Sequence, residues 1–302
     1  MTMPRQVIPG RTYLITRRCT QRCMLMRPDD VVNSIYLYCL GEAAARYEVS
    51  LIAWTALSNH HHVVVRDNLG NFPMFLAHLH KMLAKALNAH WGRWENLFAT
   101  EQPNAVYLVD EGARFDRLVY VLANSVKHHL VDRVTDWPGA CSLRQVLTGE
   151  PITVERPTAF FGDDSKMPVK VTLRCLRPDG FESVTADEWR DKVLRAIAEA
   201  ERAFRVERKE LKINVLGRKG VLATKPTDLP HTVVLRGGLR PCVAGRDPDL
   251  RRGALAALRE FRDTYRRKFE KWRARVEDVV FPLGTYKLML FGVPCLVTIT
   301  SD

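Results

Sequence analysis

The sequence has no apolar run long enough to cross a bilayer, so a membrane-spanning class is not expected. The opening Met1-Thr2-Met3-Pro4-Arg5-Gln6 leads into mixed sequence without the apolar core of a secretory signal, and a cytoplasmic location is expected. It lacks an even cysteine framework. The seven cysteines (19, 23, 39, 141, 175, 242 and 295) are odd in number and scattered, which fits free thiols in a reducing compartment. Cys19 and Cys23 have no second pair to complete a structural zinc site. No internal repeat or low-complexity tract is present, which excludes solenoids and disordered arrays. Acidic excess is missing as well: the formal net charge is +12.

What is present is a chain of 302 residues with 46% hydrophobic content, enough for one large or two ordinary packed domains. The positive charge is uneven. Residues 1–150 hold 16 Lys+Arg against 13 Asp+Glu, whereas residues 151–302 hold 30 against 21. Such a balance attracts polyanions, nucleic acid first among them.

Arg11 to Arg17 alternates as a strand, and Asp29-Asp30 opens a helix whose apolar residues recur by three and four. Leu51 to Leu57 is an apolar strand, returned by the turn pair Ser58-Asn59 into a second strand, His60 to Arg66. Phe72 to Trp91 is helical, Asn104 to Asp110 is a strand, and Arg114 to Val131 is one further helix. The order β-α-β-β-α-β-α predicts an α+β fold, with a ferredoxin-like βαββαβ antiparallel sheet and helices on one face over its first six elements. After Trp137-Pro138-Gly139 the pattern changes, which places a boundary near 150 and a mixed, basic, largely helical domain over 151–302. Within it Thr185 to Glu188 forms a capping box before a helix, and 217–245 reads as loops with short strands. Asp247-Pro248 starts a long helix, and 279–291 reads as a strand pair around Gly284. Between Arg251 and Arg275 ten basic residues face three acidic ones, which marks Arg262 and Arg266 as candidate nucleic-acid contacts.

The stretch Ser58 to Arg66 organises the rest. Alternation along a strand puts His60 and His62 on one face and His61, Val63 and Val65 on the other. Two imidazoles so placed can share a divalent ion. On the later helix, Asp116, Tyr120, Asn124 and Lys127 form a polar stripe opposite an apolar one, with Tyr120 and Asn124 one turn apart. Taken alone, each feature also fits a histidine-rich turn or an ordinary polar helix face.

Together, Leu57-Ser58-Asn59-His60-His61-His62-Val63-Val64-Val65 and Tyr120-Val121-Leu122-Ala123-Asn124-Ser125-Val126, followed by Asp136-Trp137-Pro138, resemble the single-tyrosine HUH transposases, in particular the REP-associated tyrosine transposases and their insertion-sequence relatives. The resemblance covers residues 8–148. His61 stands where that family carries an apolar residue, and Ser125 where it carries proline.

The resemblance implies an HUH domain over 1–150 with Tyr120 as nucleophile. His60, His62 and Asn124 would be ligands of a divalent metal, Mg²⁺ or Mn²⁺. It implies nicking of single-stranded or hairpin DNA through a 5′-phosphotyrosine link, then strand transfer, and nucleoid association when DNA-bound. Arg66, Lys81, Lys85 and Lys127 are candidate backbone contacts. One tyrosine per chain leaves a monomer used sequentially or a homodimer. The alternative is a domesticated, non-catalytic DNA-binding protein or repressor.

Overall fold

A computed structural model describes residues 4–162, 165–230 and 241–297. Four strands, β1 (Arg11–Arg18), β2 (Val49–Leu57), β3 (His60–Asp67) and β4 (Asn104–Leu108), pair antiparallel in the order β2-β3-β1-β4. Helices α1 (Asp30–Arg46) and α2 (Phe72–His90) link them, giving the order β-α-β-β-α-β with β3 inserted between β1 and β2. Ser58-Asn59 is the two-residue connection of the β2-β3 hairpin, which sets Leu57 opposite His60 and fixes the register.

The period-2 alternation sorts the strands into two cores. Tyr13, Ile15, Trp54, Val63 and Val65 pack under α1 and α2. Leu14, Ile52, Leu57, Val64 and Val106 pack under α3 (Glu111–Leu122) on the opposite face. The seventh element thus covers the face that the first two helices leave open. Helix starts follow local chemistry: Asp29 accepts from the Val32 N–H at 2.8 Å and Asp110 from the Ala113 N–H at 2.7 Å.

The second half of the chain enters both cores. After α4 (Asn124–Lys127) and α5 (Leu143–Thr148), a hairpin of β5 (Ile152–Glu155) and β6 (Lys170–Leu173) lies over the outer side of α1. Val171 and Leu173 are buried there, and a Cβ on Gly41 would stand 3.0 Å from each side chain. The helix α6 (Ala186–Glu210) starts at the Thr185–Glu188 capping box and sends Trp189, Val193 and Ile197 into the α3 core. Further on come α7 (Gly217–Ala223), β7 (Val243–Ala244), α8 (Pro248–Arg273) and α9 (Lys287–Leu290). β7 adds to the sheet parallel to β4. No helix of the described residues is long and apolar enough to cross a membrane.

Because Trp189 is buried and its Nε1 donates to the Val146 carbonyl at 2.9 Å, Trp189→Ala is expected to cost about 3–5 kcal/mol. Urea titration read by fluorescence and by circular dichroism checks this.

Three sequence expectations need correction. The helix expected from Arg114 to Val131 begins at Glu111, breaks at Ala123 (φ −86°, ψ 8°) and ends at Lys127. His129 sits in the left-handed region at φ 56°, and the Leu130 N–H returns to the Ser125 carbonyl at 3.0 Å, a helix stop made without glycine. Residues 217–223 form a helix instead of a loop; residues 231–240 of that expected loop region lie outside the described residues. In place of a strand pair at 279–291 there are isolated bridges (Gln6 to Thr285, Phe281 to Cys295) and the short α9. Gly284, at φ 89°, lies so close to the Gln6 side chain that a Cβ would meet it at 2.7 Å, and its carbonyl accepts from the Val7 N–H at 3.0 Å, so this segment pairs with the N-terminal stretch.

Candidate active site

His60 and His62 leave β3 on the α3 side and lean together, with ring centroids 4.9 Å apart. Each has its Nδ1 engaged. His60 Nδ1 lies 2.7 Å from Asn59 Oδ1, an oxygen that can only accept, so the proton is on Nδ1 and the Nε2 lone pair is free. His62 Nδ1 lies 2.8 Å from Thr16 Oγ1, because the β1-β3 register sets Thr16 opposite His62. His62 Nε2 is buried with no hydrogen-bond partner among the described residues.

Burial holds His60 down at about 3, with His128 and Arg18 pushing the same way and the neighbouring Asn124 amide opposing. Burial, then the His60 ring, holds His62 well below the usual histidine range. Both imidazoles are therefore neutral near pH 7, the form that binds metal.

Asn124 opens α4, and the break at Ala123 sets its side chain inward: it is fully buried, and among the described residues neither Oδ1 nor Nδ2 has a hydrogen bond of ordinary geometry, although the amide is near enough to the His60 ring to act on it. A solvated helix-face asparagine would look nothing like this. Tyr120, at the end of α3, is half-buried, its ring centroid 5.3 Å from that of His62 in an edge arrangement. Lys127 Nζ lies 4.5 Å from the Tyr120 ring centroid and the Arg117 guanidinium 5.7 Å from it. His128 stands edge-on to His60 at 5.3 Å. The result is a buried floor of His62 and Asn124, a phenol beside it, and a cationic, exposed rim.

His61 points the other way. Its Nε2 is 3.0 Å from His80 Nε2 and its Nδ1 is 3.3 Å from the Tyr36 hydroxyl, all within the α1-α2 core. A third histidine is thus accommodated where the resemblance expects an apolar side chain.

His60, His62, Tyr120, Asn124 and Lys127 come together, but the other candidate cations do not join them. Arg66 lies four positions along β3 from His62, about 13 Å away, and pairs with Asp179 at 2.8 Å. Lys81 and Lys85 are carried by α2, beyond the sheet. Arg262 and Arg266 belong to α8 and line a different cleft. Sequence reading missed Thr16, Asn59, Arg117 and His128. Asn59 and His128 sit beside motif residues and were open to inspection, whereas Thr16 depends on long-range strand pairing.

Among the described residues no three His, Cys, Asp or Glu side chains form a metal-binding group. The donors brought together here are two imidazoles and one amide.

No protein-family model matches the chain, and no curated protein matches it. Among solved structures it is similar to tRNA(His) guanylyltransferase from Saccharomyces cerevisiae (11% identity, 71% of this chain and 83% of that one, TM-score 0.32). It is also similar to a provisionally assigned transposase from Deinococcus radiodurans R1 (18% identity, 40% and 95%, TM-score 0.29). A third distant match is a REP-associated tyrosine transposase bound to a REP hairpin, at 16% identity over 56% of this chain and 93% of that one, TM-score 0.42.

Proposed function

We propose that the chain is an HUH-type, metal-dependent enzyme that nicks single-stranded or hairpin DNA and transfers strands, built on a ferredoxin-like domain. One observation carries this reading. Among the described residues His62 Nε2 and the Asn124 amide are buried without a hydrogen bond of ordinary geometry, His62 lies against a half-exposed tyrosine, and Asn124 lies beside His60, in the motif context that resembles single-tyrosine transposases. Buried polar atoms without partners are costly and point to a ligand.

His60 Nε2, His62 Nε2 and Asn124 Oδ1 would hold one Mg²⁺ or Mn²⁺, and the unpartnered atoms fit that role. When bound, the ion supplies positive charge to a non-bridging phosphate oxygen. Asn59 keeps His60 in the tautomer that offers Nε2, and the Thr16 hydroxyl, which can accept from Nδ1, is placed to let His62 do the same. Lys127 and Arg117, beside the Tyr120 ring, complement the phosphate charge. The Tyr120 hydroxyl oxygen attacks phosphorus and gives up its proton. The bond from phosphorus to the 3′ oxygen breaks, and that oxygen leaves as a 3′-OH after taking a proton. A 5′-phosphotyrosine remains, and attack by another 3′-OH reverses the step and joins strands.

The test is incubation with labelled hairpin oligonucleotides from the DNA flanking the gene, with Mn²⁺ or EDTA. A denaturant-resistant protein–DNA adduct that needs Mn²⁺ and single-stranded substrate is expected. Hairpin binding without any adduct would favour the non-catalytic DNA-binding protein. Thr16→Val, which removes only the contact to His62 Nδ1, is expected to weaken Mn²⁺ binding about 10- to 100-fold, read by calorimetric titration.

A further inference from the structure

A second site lies on the other face of the sheet, between α2 and α8. It is a cleft of about 900 Å³. Its lining carries Arg5, Arg17, Arg262, Arg266, Arg273 and Lys287, against a single carboxylate, Glu270. Arg266 has a further contact, at 3.7 Å, with Asp263 outside the lining. Two of these guanidiniums are incompletely satisfied: Arg17 Nε and Arg262 Nε are buried with no hydrogen-bond partner among the described residues. Arg5 and Arg17 instead donate to the backbone carbonyls of Pro103 and Glu101. Burial lowers both from the usual arginine value, the mark of positive charge held without full compensation.

Aromatic rings run beside the charges. Phe261, Tyr265 and Phe269 recur every four residues along one side of α8, and the Tyr265 and Phe269 rings are nearly parallel (11°) with centroids 5.9 Å apart. Phe291, largely exposed, closes the other side. A second hollow of about 600 Å³ shares Arg5, Gln102, Pro103 and Arg262 with the first, and adds Arg11 over the Tyr107 ring at 4.5 Å. The two hollows adjoin at these four residues to make a trough, and the second adds one more carboxylate, Glu101.

We propose that this trough binds single-stranded DNA, separately from the candidate nicking site. Phosphates are the anions that arginines held in this way would bind, and unpaired bases offer the faces that the accessible rings, Tyr265, Phe269 and Phe291, would stack on, Phe261 being buried beneath them. A duplex hides those faces. Two adjoining hollows suit a polymer better than a single nucleotide. The choice of DNA rests on the function proposed above, but binding here needs neither Tyr120 nor a metal. Held at the trough, the strand beyond a hairpin would be kept near the protein while its other end is cut.

The test uses a fluorescent oligothymidylate of about 12 nucleotides, in EDTA, on Tyr120→Phe protein so that no adduct forms. Arg262→Ala with Arg266→Ala is expected to weaken binding at least tenfold near 0.1 M salt and to make the salt dependence shallower by about 1.4 in log–log slope. Phe269→Ala is expected to weaken it roughly fivefold or more. Arg262→Lys with Arg266→Lys, which keeps the charge, is expected to retain most of the affinity, and melting curves on each variant exclude unfolding. A duplex of the same length should compete at least tenfold less well. Photocrosslinking of a 5-iodouracil oligonucleotide is expected to mark Tyr265 or Phe269. Crosslinks confined to the segment around Tyr120, equal competition by duplex, or unchanged affinity in the arginine-to-alanine pair would overturn the proposal. An adduct at Tyr120 of the parental protein in Mn²⁺, together with such results, would sink the trough alone. Trough binding with no adduct would sink the nicking reading alone.

Discussion

Tyr120→Phe is expected to abolish the covalent protein–DNA adduct and strand cleavage while leaving hairpin affinity within about twofold. The substitution removes one oxygen and keeps the ring, so the edge contact with His62 and the proximity of Lys127 and Arg117 persist. Affinity for nucleic acid comes mainly from phosphate contacts by cations, which the change does not touch. Cleavage has no second route, because attack requires the phenolic oxygen to become the bridging atom of the phosphotyrosine. Gel analysis of adduct and product, with binding followed by anisotropy on the same preparation, checks both halves. Residual cleavage at the parental rate would point to a hydrolytic mechanism in which Tyr120 takes no part.

His62→Ala is expected to lower the rate of adduct formation by about a thousandfold or more, the scale of several kcal/mol of lost charge stabilisation. Binding to the hairpin should fall less than about threefold. The same variant should lose the metal's effect on thermal stability. In the parent, Mn²⁺ at about a hundred times its dissociation constant is expected to stabilise by about 2.7 kcal/mol. That raises the melting temperature by several degrees in a chain of this size. Removing the ring that carries the unpartnered Nε2 should leave a melting curve indifferent to Mn²⁺. Equal losses of binding and cleavage would contradict this division of labour between metal ligands and phosphate contacts.

Much of the site was legible because its signals are local. The Ser58-Asn59 turn and the alternation of His60, His61 and His62 fix which rings share a face, and β3 bears that out. The four-residue spacing of Tyr120 and Asn124 brought both to the histidine side. It did not reveal that Asn124 would be fully buried, since the inward set of its side chain comes from the break at Ala123 and the stop at His129. Histidine in a left-handed position that glycine usually fills carries no sequence signal. Thr16 was out of reach for a different reason: only the β1-β3 register sets it against His62, and register is a long-range choice.

The same contrast runs through the fold. Asp29, Asp110, Thr185 and Asp247 are caps that act within three residues, and three of these four starts were legible, at Asp29, Thr185 and Asp247. The burial of α1 on both sides depends on a hairpin more than 100 residues later, whose strands span only four residues each and sit in a stretch broken by Pro and Gly. β7, two residues long, has no periodicity to read. Arg66 looked like a site cation from its place beside the histidines, but strand geometry carries it away from them and Asp179 neutralises it.

The proposed mechanism stands or falls with one tyrosine becoming covalently joined to DNA. The most direct measurement is tandem mass spectrometry of the nuclease-trimmed, trypsin-digested adduct formed in Mn²⁺. Cleavage after Arg117 and Lys127 releases residues 118–127, in which Tyr120 is the only tyrosine. A nucleotide phosphate on Tyr120 in that peptide is the expected result. The peptide unmodified, with the nucleotide on another residue, would rule out Tyr120 as the nucleophile.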